Sequence, residues 1–158
     1  MALIVEDGTG LANADSYVSV ADADIYASAM GHFAWTDVAV TVEQKEVALR
    51  RATQYIDAEY TFRGSVLDPD QALEWPREEY SWPIRAVVHA CCELAVRGLS
   101  TALLSDVDAS SVKREKVGQI ETEYFDPQNG GQVRYAVVDN LLRSVVTAGR
   151  NTLRIERA

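Results

Sequence analysis

Apolar residues along the chain change spacing several times, and each change marks a boundary. Residues 1–18 carry no helical period. Gly8-Thr9-Gly10 and Asn13-Ala14-Asp15-Ser16 have turn chemistry, so this stretch reads as an extended N-terminal arm lying against the body. Ser19-Val20-Ala21-Asp22 has the form of a capping box, in which a hydroxyl and an acid three residues on satisfy the free amides of a helix start. It predicts a helix over about 20–30, stopped at Gly31, where the missing Cβ permits a left-handed cap. Thr41-Val42-Glu43-Gln44 repeats the signature. Behind it Leu49, Ala52, Ile56 and Tyr60 recur at three- and four-residue intervals, predicting a helix over 42–60 that ends in Thr61-Phe62-Arg63-Gly64.

Residues 64–82 form a long connection punctuated by Asp68-Pro69-Asp70, Trp75-Pro76-Arg77 and Trp82-Pro83, where each proline disfavours helix at the residue before it. Connections of this length usually carry function. Pro83 suits a first helical turn, and Ile84, Val87, Val88, Cys91, Leu94 and Ala95 give an apolar face, predicting a helix over 83–98. Residues 99–112 start helix-compatible and end as a polar loop. From Lys113 the period becomes two, with Ile120, Thr122 and Tyr124 on one side and Gln119, Glu121 and Glu123 on the other. With a turn at Asp126-Pro127-Gln128-Asn129-Gly130-Gly131 and a return over Gln132–Val137, this predicts a β-hairpin over 113–137. Val138, Leu141, Leu142, Val145 and Val146 predict a short helix over 138–149, and residues 150–158 form a basic C-terminal tail. The expected fold is mainly α: one domain over 1–158, a small helical bundle over 19–112 with an inserted β-hairpin and extended N- and C-terminal arms.

Composition adds limits. With 158 residues, 47% hydrophobic and 25% charged, the chain has the makeup of an ordinary globular domain, and one this long buries a core without staples. Cys91 and Cys92 are adjacent, pointing about 100° apart on a helix, and read as small buried hydrophobes. His89 and Cys91, two apart, do not share a helix face and make no metal pair. No apolar run reaches the roughly 20 residues a membrane span needs, and Met1–Val5 lacks the basic flank of a signal peptide, so a cytosol is the default compartment.

Charge changes the picture more. Twenty-four acids against 15 bases give a formal −9, which argues against gripping nucleic acid over the whole surface. Residues 1–60 hold ten acids against three bases, a net of −7, whereas residues 113–158 hold six acids against eight bases, a net of +2. An acidic flank and a basic flank could meet in neighbouring copies or face different partners; a solvated surface explains the asymmetry as well.

Catalytic patterns are missing. Gly8-Thr9-Gly10 is not followed by a phosphate-binding lysine or a full glycine fingerprint, no serine sits in a nucleophile elbow, and His32 and His89 lie in no recognised motif. Asp22 with Asp24 and Glu78 with Glu79 are explained by caps and solvated faces. No enzyme activity, metal or cofactor is expected. Trp75 and Trp82 read two ways: as plugs of the helical core, or, for Trp75 with Arg77, as anchors of a subunit interface, where Trp and Arg are enriched.

The segments Ala14-Asp15-Ser16-Tyr17-Val18-Ser19-Val20-Ala21-Asp22-Ala23-Asp24, Ala48-Leu49-Arg50-Arg51-Ala52-Thr53-Gln54-Tyr55-Ile56-Asp57 leading to Phe62-Arg63-Gly64, Leu73-Glu74-Trp75-Pro76-Arg77, and Lys116-Val117-Gly118 together resemble the small head-to-tail adaptor (connector) proteins of tailed bacteriophages, over roughly residues 12–145. Relatives of this type also carry the label DnaT-like single-stranded-DNA-binding protein. The resemblance implies a structural virion protein, made in the host cytoplasm, that forms a homo-oligomeric ring, usually a dodecamer. Such a ring sits between the portal protein and a downstream neck or tail protein, and genomic DNA passes through it without specific binding. It also implies that a C-terminal arm docks on the portal, a place matched in position and character by Arg150, Leu153, Arg154, Ile155 and Arg157. The alternative is a single-stranded-DNA-binding protein that stacks bases on Trp75 and Trp82 beside nearby arginines.

Overall fold

The computed structural model describes residues 2–104, 114–117, 120–123 and 134–149. The chain divides into two compact units, Met1–Leu103 with Tyr135–Ala158, and Leu104–Arg134. Among the described residues the architecture is mainly helical, with five helices and two small antiparallel strand pairs.

In the first unit the predicted caps are in place. Helix α1 (Val20–Met30) starts where the Ser19 hydroxyl accepts from the Asp22 amide at 3.1 Å, and it ends at Gly31 with φ +72°, the left-handed cap the sequence calls for. A short helix α2 (Phe33–Thr36), which the sequence does not announce, follows and seats Trp35 in the core; the indole donates to Asp24 at 2.7 Å. Helix α3 (Val42–Glu59) opens with both halves of the Thr41–Gln44 capping box. It buries Ala48, Leu49, Ala52, Thr53, Tyr55 and Ile56, the face its periodicity marks. That face packs chiefly on helix α4 (Arg85–Gly98), which buries Val87, Ala90, Cys91, Cys92, Leu94 and Ala95 and in turn supports helix α5 (Ala136–Leu142) through Val138 and Leu142. Each fully buried Leu, Ile or Val contributes roughly 1.5–3 kcal/mol relative to exposure. Helix α4 begins two residues after Pro83, which lies just before the helix instead of in its first turn.

Two expectations for this unit need correction. The helix expected over 138–149 is only the seven-residue α5, and the chain then turns into strand β4 (Val146–Gly149). Strand β1 (Tyr60–Phe62), expected as a helix end, pairs antiparallel with β4, Tyr60 opposite Gly149 and Phe62 opposite Val146. The reason is tertiary: β-branched and aromatic residues near a helix end extend when a distant partner strand is present. The N-terminal arm does lie on the body, through a parallel bridge of Val5 with Ser16 and through Tyr17 and Val18, both in the core.

The second unit contains strands β2 (Arg114–Val117) and β3 (Ile120–Glu123), paired antiparallel with Val117 opposite Ile120. A hairpin exists, but it is tighter than expected. Its second strand is 120–123, residues Ala136 and Val137 belong to α5, and the expected turn at 126–131 with residues 132–133 lies outside the described residues.

Candidate functional site

The connection between β1 and α4 holds the residues that drew attention in the sequence. It is ordered by its own hydrogen bonds: Leu67 N–H donates to Pro76 O at 3.2 Å, Glu78 N–H to Ser65 O at 3.1 Å, and the Gln71 amide to Leu73 O at 2.5 Å and Pro76 O at 3.1 Å. The Trp75-Pro76 and Trp82-Pro83 bonds are both cis. Gly64 has φ +81°, a left-handed conformation that glycine adopts without strain, and a Cβ there would also displace the Glu79 carboxylate.

Trp75 is 0% exposed, with Phe62 and Tyr80 edge-on at 5.3 and 5.1 Å. Arg77 is 7% exposed. Its guanidinium donates to Glu74 O at 3.0 Å, to Gly64 O at 2.5 Å and to the Glu74 carboxylate, and lies over the Phe62 and Trp75 rings at 5.6 and 5.9 Å. Within the chain this pair therefore faces inward: Trp75 fills the core and Arg77 ties the loop to the end of β1. Trp82 is partly buried, packs on Tyr17 at 5.8 Å and donates to Glu6 O at 3.3 Å. The core-plug reading of both tryptophans matches these contacts. A base-stacking platform at Trp75 would require the ring to leave the core.

Beneath the turn, Asp57 accepts from the Tyr17 hydroxyl and, at 3.4 Å, from the Glu74 amide. Burial is the first cause of its displacement and pushes its carboxyl from 3.8 up to about 7, against the downward pull of those donors. Burial also drives the neighbouring Cys91 thiol up to about 12, the Thr53 hydroxyl at 3.5 Å being its closest polar contact. Cys91 and Cys92 are free and buried, as small hydrophobes.

A second cluster escaped the sequence reading altogether. Both histidines of the chain converge on the Tyr26 ring of α1, His32 at 6.1 Å and His89 at 4.7 Å between ring centres. Glu93 of α4, almost fully buried, lies beneath Tyr26 and His32. Its carboxylate accepts from Tyr26 OH at 2.9 Å and from Arg97 at 2.6 Å, and lies 3.1 Å from His32 Nε2. Burial alone would raise the Glu93 carboxyl, but the Arg97, Tyr26 and His32 donors outweigh it and hold it below its ordinary range. For His89, burial first and then Arg85 lower the imidazole. The cluster joins α1, the turn before α2, and α4. No signal in the sequence marks it, because its members lie on three elements and His32 sits in a stretch without period. Among the described residues no three His, Cys, Asp or Glu side chains group as a metal site, and no helix is long and apolar enough to cross a membrane.

Several large apolar side chains on α1, α2 and the start of α3 are exposed. Ile25 is 70% and Phe33 83% exposed, and Met30, Val38 and Val42 are also open to solvent. This is the acidic flank, with Asp22, Asp37 and Glu43 among the same residues. On the basic flank, Arg63 donates to Val146 O at 3.1 Å, and Arg143 is exposed at the end of α5. The remaining expected contacts, Arg150, Leu153, Arg154, Ile155 and Arg157, lie outside the described residues.

Residues 1–158 match the family described as "Putative DnaT-like ssDNA binding protein". The chain belongs to that family. No curated protein and no solved structure matches it.

Proposed function

We propose that this DnaT-like family member is a non-enzymatic assembly subunit. In this reading it is a head-to-tail adaptor of a tailed phage, built in the host cytoplasm and incorporated in the virion as a homo-oligomeric ring, dodecameric by resemblance, between the portal protein and a neck or tail protein. The observation that carries the reading is the α1–α2 corner: large apolar side chains at Ile25, Met30, Phe33, Val38 and Val42 stand in solvent amid acids, the character of a protein-binding surface and not of a phosphate-binding one. The formal −9 charge suits a conduit whose wall repels the duplex and lets it slide.

The second reading is single-stranded-DNA binding, and the family description speaks for it directly. One experiment separates the two. The mass of the purified chain is measured by light scattering, alone and mixed with a portal, and binding to a single-stranded oligonucleotide is titrated at low and high salt. A ring, or a stoichiometric complex with the portal, supports the adaptor. A monomer that ignores the portal and binds the oligonucleotide with steep salt dependence replaces it with the second reading. The role of the tail in joining the portal is tested by removing residues 150–158. A cut at 147 would also take most of β4 and its pairing with β1.

A further inference from the structure

Helices α3 and α4 leave a groove of about 370 Å³ between the first half of α3 and the end of α4, lined by Val40, Glu43, Val47, Ala48, Arg51 and Leu99. The volume falls within the roughly 300–1,000 Å³ of ligand-sized clefts. Its floor is apolar; Val47 is 42% exposed. Glu43 and Arg51 put a carboxylate and a guanidinium on its lining. Hydrogen bonding to its own amide and to Thr41 lowers the Glu43 carboxyl, which therefore stays charged.

We infer that this groove receives the C-terminal segment 150–158 of the same chain. Three observations point to that occupant. The first is direction. Strand β1 follows α3 without an intervening residue, and β4 runs antiparallel to it, so Gly149, opposite Tyr60, delivers the chain back to the C-terminal end of α3. The second is reach. From Tyr60 to Ala48 along α3 is about 18 Å at 1.5 Å per residue, and nine residues extended cover about 30 Å. The third is chemistry. Leu153 and Ile155 alternate with polar residues, as an extended segment needs to press one side onto an apolar floor, while Arg154 and Arg157 complement Glu43, and Glu156 complements Arg51. The groove lies on the acidic flank and the segment closes the basic one.

The test uses the full chain carrying Val47→Cys and Ala158→Cys, treated with a short bismaleimide and read by intact mass. The native cysteines are buried and do not compete. The expected result is an intramolecular link formed at least about tenfold faster than in the Ser81→Cys, Ala158→Cys control, Ser81 being exposed away from the groove. Adding Leu153→Asp, a change outside the folded core, is expected to slow the link at least about fivefold. Links between chains would overturn the inference by making a second copy the occupant. Equal rates in test and control, or no effect of Leu153→Asp, would overturn it outright. None of these outcomes depends on a portal or on DNA.

Discussion

The turn at Trp75–Arg77 and the corner at α1–α2 differ in where they spend their aromatic and charged groups. The turn carries the residues that look most like binding anchors, yet Trp75 is sealed by Phe62 and Tyr80, and every described contact of the Arg77 guanidinium is internal. The corner is nearly silent in sequence, yet it leaves Phe33 and Ile25 in water near a buried carboxylate that draws in His32, a tyrosine and an arginine, with His89 against the tyrosine ring. Residue type alone does not locate a surface. A tryptophan beside a proline is as good a keystone as an anchor, and what separates the roles is whether neighbouring rings enclose it or solvent reaches it.

Substitutions sharpen this contrast. The largest effect belongs to the turn: Trp75→Ala is expected to cost about 3–5 kcal/mol, from lost burial and the cavity left beside Phe62 and Tyr80, read as a lower denaturation midpoint in urea. Next comes Asp57 beneath it. An unfolded Asp loses its proton near 3.8 and the folded one near 7, so the native state holds an extra proton between those values. The stability Asp57 contributes is then complete on the acid side and is lost as pH rises through that window, by an amount on the order of 2–4 kcal/mol. Urea melts of wild type and Asp57→Asn from pH 4 to 8 check it: their difference should change with pH in that sense, and a constant difference would refute the assignment.

At the corner, Glu93→Ala is expected to cost about 1–3 kcal/mol by leaving Tyr26, His32 and Arg97 without their acceptor, with loss of the near-ultraviolet circular dichroism that Tyr26 contributes. The smallest stability change is expected from Phe33→Ser, within about 0.5 kcal/mol because the ring is already in solvent. On the proposed adaptor reading, that variant is expected nonetheless to weaken association with the portal in light scattering. If Phe33→Ser destabilises the subunit as much as Trp75→Ala, the contrast between turn and corner collapses.

Much of the bundle was legible. The caps at Ser19, Gly31 and Thr41 and the α3 face stand where local chemistry puts them, since each rests on residues within one or two turns. What stayed hidden depended on distance. Tyr60–Phe62 looked like a helix end because its partner, Val146–Gly149, lies at the far end of the chain and itself has helical spacing. The hairpin register went wrong because Asp126–Gly131 is the stronger turn signal by composition, although the strands join at Val117 and Ile120. Trp75 and Arg77 were read with two meanings, and only the packing of Phe62 and Tyr80 chooses between them within the subunit. The Tyr26–His32–Glu93 convergence has no local trace.

The β1–β4 pair has one more consequence. Because β1 follows α3 directly, its pairing with β4 joins positions more than eighty residues apart, Phe62 with Val146 and Tyr60 with Gly149. Closing so long a loop costs entropy that the packed bundle offsets, so loosening the bundle is expected to release this strand pair with it.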